Sequence, residues 1–119
     1  MAPLIISHRG KVDLSSSENS LVGIQEAIDL GVNMIEFDVR NTVNDVLVCY
    51  HDESIKGKPI SHIEYEEMKA LDKNVCKLEE VIELCKNKVG VNVEIKEEGY
   101  EQKIIDLLVP NFSYADILI

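Results

Sequence analysis

The chain has 119 residues, of which 45% are hydrophobic and 29% charged, and its net charge is -10. This size suits one domain with a buried core, over residues 1–119. The negative charge argues against a nucleic-acid or anionic-membrane surface, because both reward clustered Lys and Arg. No apolar run approaches the roughly 20 residues that span a bilayer, and the N-terminus lacks signal-peptide features. We therefore expect a cytoplasmic protein, or one stripped of its leader, without stable membrane insertion.

The cysteines are three in number, lack CxxC spacing and each lie in or beside an apolar run, at Cys49, Cys76 and Cys85. An odd count with this spacing favours buried free thiols over a zinc site or a disulfide.

Apolar runs of strand length alternate with helical patterns along the chain. The predicted strands are residues 4–7, 34–39, 46–50, 91–96 and 117–119, and the predicted helices are residues 21–28, 62–71, 78–88 and 100–108. Strands that alternate with helices through short links predict an α/β fold with a parallel sheet.

Two boundaries carry specific turn signals. Ser61 and Glu64 have capping-box spacing, and Ile60 with Tyr65 has staple spacing, so a helix from about His62 is expected. Asn44-Asp45 between the second and third strands allows a tight hairpin, although an extended crossover is also possible. In a simple hairpin, His51 would lie near Asp38.

The second strand carries two carboxylates on one face. Side chains alternate along a strand, so Glu36 and Asp38 share a face with Met34, while the opposite face is apolar. In a sheet covered on both faces, bare charge is costly unless it is paired or binds a cation.

Further polar residues stand at the ends of the other apolar strands. They are His8 and Arg9, His51 and Asp52, and Glu94 and Lys96. The carboxyl ends of parallel strands share one edge of a sheet, so these side chains can converge. Carboxylates at Glu36, Asp38 and Glu94 suit a hard divalent cation such as Mg²⁺ or Ca²⁺. Histidines suit proton transfer, and an arginine matches phosphate oxygens.

Each feature also has a purely structural interpretation. Glu36 and Asp38 could form the wet face of an antiparallel sheet, and Glu94 with Lys96 could be a surface ion pair. His8 and Asp52 could cap nearby backbone. The ordered set of motifs favours the functional interpretation.

Five motifs in order resemble those of the glycerophosphodiester phosphodiesterases. They are Ile5-Ile6-Ser7-His8-Arg9-Gly10, Ser17-Glu18-Asn19-Ser20, Ile35-Glu36-Phe37-Asp38-Val39-Arg40, Val46-Leu47-Val48-Cys49-Tyr50-His51-Asp52 and Val93-Glu94-Ile95-Lys96. The resemblance covers nearly all of the chain. It implies a TIM barrel and metal-dependent hydrolysis of small-molecule glycerophosphodiesters to glycerol 3-phosphate and an alcohol.

The resemblance also implies a role for each site residue. Glu36, Asp38 and Glu94 would bind the divalent metal, Mg²⁺ or Ca²⁺, and His8 and His51 would form the acid/base pair. Arg9 and Lys96 would contact the phosphate, and Glu18 matches the family's supporting acidic residue. The nucleophile is either water or a neighbouring substrate hydroxyl, through a cyclic phosphate.

Length is the main departure from the family. A TIM barrel usually needs about 250 residues, so this chain is expected to supply roughly the first half. A homo-oligomer could complete the barrel. The segment of residues 53–59, where the family recognises the glycerol end, is also short. Rival functions are a catalytically silent half barrel for assembly or ligand binding, and a related phospholipase that stops at the cyclic phosphate.

Overall fold

A computed structural model describes residues 4–10 and 18–119. Ser17 of the second motif lies outside the described residues. The strands are β1 (Ile6–Ser7), β2 (Met34–Asn41), β3 (Leu47–Cys49), β4 (Ser54–Ile55), β5 (Lys58–Pro59), β6 (Cys76–Lys77), β7 (Gly90–Ile95) and β8 (Ile117–Leu118). The helices are α1 (Leu21–Asp29), α2 (Tyr65–Leu71), α3 (Leu78–Cys85) and α4 (Glu101–Leu108).

The main sheet has a parallel part made of four strands. β2 pairs in parallel with β1 and with β7, and β7 pairs in parallel with β8. Helices α1, α3 and α4 precede β2, β7 and β8 respectively. This succession of four parallel strands joined by helices is that of the first half of a (β/α)₈ barrel, so the predicted α/β half barrel is confirmed.

The helices cover one face of the sheet. Ile35, Phe37 and Val39 of β2 are fully buried against apolar residues of α1, α3 and α4, including Ile24 and Ile104. Alternation along β2 therefore directs Glu36 and Asp38 to the opposite face, which is the barrel interior. All three cysteines are free and buried, as predicted.

The link between β2 and β3 is a tight hairpin and not the extended crossover that the sequence also allowed. β3 runs antiparallel to β2 with Val39 opposite Cys49, and Asp45 takes a left-handed φ of 58° in the turn. The Tyr50 amide donates to the Asp38 carbonyl at 3.0 Å, so Tyr50 lies opposite Asp38 and His51 comes one residue later.

The predicted capping box at Ser61 is wrong. Residues Ile60–His62 form a 3-10 turn, and α2 begins only at Tyr65. Ile60 and Ile63 are buried in a second small core under the β4–β5 hairpin, and this packing fixes the turn. The Asn44 side chain accepts a hydrogen bond from the Tyr65 amide at 3.2 Å. A distant residue thus caps the helix, which local sequence spacing cannot reveal.

Two helices are also shorter than predicted. α3 ends at Cys85, three residues before the predicted end, and α4 starts at Glu101. Among the described helices, none is long and apolar enough to cross a membrane.

Candidate active site

The predicted site residues gather at the carboxyl edge of the parallel sheet. His8 and Arg9 follow β1, Glu36 and Asp38 lie in β2, and Glu94 lies in β7. His51 follows β3, Lys96 follows β7, and Glu18 lies in the loop before α1.

Three carboxylates form a tight cluster in this edge. One oxygen from each of Glu36, Asp38 and Glu94 can be chosen so that all three lie within 4.8 Å of one another. The parallel register sets Asp38 directly opposite Glu94. Like charges in directly opposed positions repel, so the cluster requires compensating positive charge.

Asp38 is the most deeply buried member, with 1% of its surface exposed. This burial excludes the alternative in which this face of β2 is the solvent-exposed face of an antiparallel sheet. Asn19 holds Asp38 on two sides: its side-chain amide donates to Asp38 Oδ2 at 3.1 Å, and its side-chain oxygen accepts from the Asp38 amide at 3.1 Å. Asn19 is itself 2% exposed and has a left-handed φ of 53°. The loop before α1 therefore fixes the orientation of this carboxylate.

Two positively charged side chains lie against the carboxylate cluster. Lys96 Nζ is 3.0 Å from Glu94 Oε1 and 3.5 Å from Asp38 Oδ1. Arg9 Nε is 3.8 Å from Asp38 Oδ2, and Arg9 Nη1 bonds Glu18 Oε2 at 2.8 Å. Positive charge from both flanks offsets part of the mutual repulsion of the carboxylates.

The turn after β1 adds a backbone contact. The Arg9 amide donates to Glu36 Oε2 at 3.0 Å, and Arg9 has a left-handed φ of 55°. A left-handed conformation at a residue other than glycine costs free energy and occurs preferentially at functional sites. Here it directs the amide at a carboxylate and leaves the guanidinium free to reach Glu18 and Asp38.

The two histidines flank the cluster from different strands. His8 Nε2 is 3.7 Å from Glu36 Oε2, and its side chain is 74% exposed. His51 Nδ1 is 2.8 Å from Asp52 Oδ1, so Asp52 orients this imidazole. The pKa of Glu94 is lowered first by its hydrogen bond with Lys96, then by Asp38, and to a smaller extent by the nearby His51. Asp52, which sequence alone assigns more readily to a turn, thus contacts a predicted site residue.

The carboxylates differ in their proton affinity. Burial raises the pKa of Glu36 above its ordinary value, and the hydrogen bond from the Arg9 amide opposes this rise. The hydrogen bond from Lys96 lowers the pKa of Glu94. Glu94 is therefore a negative ligand over a wider pH range than Glu36.

The donor set fits a hard divalent cation. All three candidate ligands are carboxylates, which Mg²⁺ and Ca²⁺ prefer. Among the described residues, Asp38 Oδ1 is buried without a hydrogen-bond partner, although Lys96 lies close to it. A cation at this oxygen would satisfy it and relieve the repulsion within the cluster.

Two residues at the site carry no predicted role. Asn19 belongs to the second motif. The sequence feature that could have identified it is its residue type, because asparagine adopts the left-handed conformation more readily than most other residues. Arg40 lies on the same face of β2 as Asp38, two residues further on, and its side chain contacts the His51 carbonyl. Strand alternation gives the face of Arg40 but not this long-range partner.

Comparison with known proteins supports the resemblance read from the motifs. The model of the Glycerophosphoryl diester phosphodiesterase family matches residues 8–113. A glycerophosphodiester phosphodiesterase of Caldanaerobacter subterraneus subsp. tengcongensis is 32% identical over 127 residues, which cover 88% of this chain and 52% of the relative. The chain spans about half the length of the curated relatives it matches.

Solved structures give the same result for the fold. A glycerophosphodiester phosphodiesterase of Thermotoga maritima superposes with a TM-score of 0.85 at 27% identity, over 98% of this chain and 53% of that protein. An Oleispira antarctica phosphodiesterase, solved with the product sn-glycerol-3-phosphate, superposes with a TM-score of 0.78 over 94% of this chain and 54% of its own. At 22% identity, the second likeness bears on the fold alone.

These structural relatives are TIM-barrel proteins, of which this chain matches about half. Because the family model matches most of the sequence, the chain belongs to the glycerophosphoryl diester phosphodiesterase family.

Proposed function

We propose that the protein hydrolyses glycerophosphodiesters to glycerol 3-phosphate and an alcohol, with Mg²⁺ or Ca²⁺ held by Glu36, Asp38 and Glu94. The observation that carries the proposal is the carboxylate cluster, whose oxygens lie within 4.8 Å of one another. Its position at the carboxyl edge of a parallel sheet, in a chain of this family, supports a catalytic use. A cation bound there would supply Lewis-acid stabilisation of charge on the phosphate oxygens.

The residues of the chain have distinct parts in this proposal. Arg9 presents a planar guanidinium and Lys96 an ammonium to the phosphate, and Glu18 holds Arg9 through their 2.8 Å ion pair. His8 and His51 approach the cluster from β1 and β3, so they are suited to transfer protons on opposite sides of the phosphorus. One would take the proton of the attacking hydroxyl or water, and the other would donate a proton to the leaving alcohol.

The test is release of glycerol 3-phosphate from glycerophosphocholine with and without Mg²⁺ or Ca²⁺. We expect His8→Ala and His51→Ala each to lower kcat by about 100-fold or more. His62→Ala is the matched control, because the third histidine of the chain is exposed in the 3-10 turn before α2. Full activity in both site variants would refute the acid/base assignment.

Two rival functions have separable outcomes in the same assay. A cyclic glycerophosphate as the final product would identify a phospholipase of the cyclising kind. Metal binding by the wild type without turnover would identify a catalytically silent half barrel.

We further propose that two copies complete one barrel. Strands β1 and β8 are each paired on one side only within the described residues, and apolar side chains are exposed beside them. These are Leu4, Ile5 and Ile6 at one edge and Leu118 and Ile119 at the other. A twofold axis would pair β1 of each copy with β8 of the other. Light scattering tests this, and a monomer at micromolar concentration would exclude it.

We also assign residues 1–119 to one partial barrel domain in the cytoplasm, acting in lipid metabolism. A six-stranded sheet that carries the main core, with the β4–β5 hairpin and its small core packed beside it, supports the single domain, and three free thiols suit a reducing compartment. Cooperative unfolding in a single calorimetric transition, and recovery of the protein in the cytosolic fraction, are the expected results. Two transitions or recovery with membranes would contradict them.

A further inference from the structure

The side chain of Arg40 joins the ends of three strands. Its Nε and Nη2 atoms both donate to the His51 carbonyl oxygen, at 3.0 Å and 2.8 Å. Its Nη1 atom donates to Glu97 Oε2 at 3.1 Å. Arg40 lies near the end of β2, His51 follows β3 and Glu97 follows β7, so one guanidinium connects the segments that carry most of the predicted site.

The guanidinium is held firmly in this position. Arg40 is 8% exposed. Glu97 Oε1 accepts from the Tyr100 hydroxyl at 3.1 Å, and this hydroxyl is also 3.0 Å from the Val39 carbonyl oxygen. Tyr100 is itself buried. Rotation of the Arg40 side chain would therefore break three hydrogen bonds in a largely buried environment.

His51 needs such a support because the sheet ends just before it. The hydrogen bond from the Tyr50 amide to the Asp38 carbonyl belongs to the β2–β3 ladder. Beyond that bond the chain leaves β3, and the forked contact from Arg40 fixes the peptide group of His51. The side chain of His51 is oriented separately, by the contact between its Nδ1 atom and the Asp52 carboxylate.

We propose that Arg40 is a positioning residue for His51, which holds the imidazole at a fixed place beside the carboxylate cluster. This inference rests on the proposed function, in which His51 transfers a proton. A displacement of about 1 Å can lower the rate of a proton-transfer step about 100-fold. A lysine cannot reproduce the planar fork, since its ammonium acts as a single point of charge.

The experiment compares Arg40→Gln and Arg40→Lys with the wild type, using glycerophosphocholine as the substrate. We expect Arg40→Gln to lower kcat about 10- to 100-fold, with KM changed by less than about twofold. The kcat of Arg40→Lys should lie between those of the wild type and Arg40→Gln. Nitrogen-15 NMR of the imidazole groups should show broadened or multiple signals for His51 in Arg40→Gln, with the signals of His8 unchanged.

Tyr100→Phe is the matched control, because it removes a buried hydroxyl from the same network and leaves the fork on His51 intact. We expect it to lower the melting temperature while kcat stays within about twofold of the wild type. If Arg40→Gln does not fold, Arg40→Lys carries the test through its His51 signals and kcat.

Unchanged kcat and unchanged His51 signals in Arg40→Gln would overturn the positioning role. An equal loss of kcat in Tyr100→Phe and Arg40→Gln, with the His51 signals unchanged in both, would overturn it as well, by assigning the effect to general destabilisation. Failure of the proposed function is distinguishable: the wild type would release no glycerol 3-phosphate, or His51→Ala would stay active. The NMR comparison of His51 still decides the role of Arg40 in that case.

Discussion

Substitution of Asp38 by asparagine removes one charge from the carboxylate cluster and keeps the shape of the side chain. The three oxygens lie within 4.8 Å of one another, so each pair of charges costs about 3.5 kcal/mol at an effective dielectric constant near 20. Asp38→Asn abolishes two of the three repulsions. Lys96 keeps Glu94 as a partner and Arg9 keeps Glu18. The substitution also removes the attractions of Asp38 to Lys96 Nζ at 3.5 Å and to Arg9 Nε at 3.8 Å, which are about 4.7 and about 4.4 kcal/mol on the same scale. Gains of about 7 and losses of about 9 kcal/mol nearly cancel, so without divalent cation we expect the free energy of unfolding to change by no more than about 2 kcal/mol.

With divalent cation the expected result is different. A cation at 100 times its Kd stabilises the wild type by about 2.7 kcal/mol, which corresponds to roughly 10 °C in melting temperature. If the loss of a ligand raises Kd about 30-fold, the same concentration stabilises Asp38→Asn by only about 0.9 kcal/mol. The variant thus separates the electrostatic cost of the cluster from its use as a metal site.

The assay is thermal unfolding of both proteins across a titration of MgCl₂ or CaCl₂ at constant ionic strength. Constant ionic strength is needed because salt alone screens the carboxylates. Glu83→Gln serves as the control, since Glu83 is an exposed acidic residue on α3. An equal metal-induced rise in melting temperature for Asp38→Asn and wild type would refute the metal assignment.

Three further predictions address the support of the cluster and its surroundings. Asn19→Ala leaves the Asp38 amide and one carboxylate oxygen without their partner, and we expect a loss of about 2–4 kcal/mol in urea unfolding; a loss below about 0.5 kcal/mol would contradict this. Lys96→Met removes the cation nearest to Glu94, so the melting temperature in EDTA should fall and divalent cation should restore it; unchanged stability in EDTA would exclude this role for Lys96. Burial raises the pKa of the Cys85 thiol to about 12, so iodoacetamide should label Cys85 at pH 9 only after unfolding. The stabilisation linked to this thiol is complete below its unfolded pKa and is lost as pH rises through the folded value, which calorimetry between pH 8 and 11 would detect as falling stability.

Several parts of the fold follow from local sequence because local physics decides them. Alternation along β2 gave the correct faces for Glu36, Asp38 and Phe37, since the side-chain period of a strand is two. The helix over Leu21–Asp29 was predictable from its apolar spacing, and Ser20 caps it by accepting from the Gly23 amide. The order of strands and helices was sufficient for a parallel α/β sheet, whereas the half barrel was implied by the family resemblance together with the chain length.

The start of α2 and the choice between a hairpin and a crossover after β2 were beyond local inference. The helix begins at Tyr65, because Ile60 and Ile63 are buried and Asn44 reaches across to cap it. Likewise, sequence spacing allowed both a hairpin and a crossover after Asn41. The contact that caps α2 joins residues 21 positions apart, so no local pattern encodes it. The hairpin pairs residues 6 to 10 positions apart, and the turn residues alone left it open.

The sequence by itself determined which residues reach the carboxyl edge of the sheet, because strand ends and alternation fix position and face. It also determined the family, through five motifs in order. Only the tertiary structure decided how those residues meet. It buries Asp38 under Asn19, sets Lys96 between two carboxylates and clamps the His51 carbonyl with Arg40. Each of these contacts joins separate segments of the chain, and their distances depend on how the strands pack.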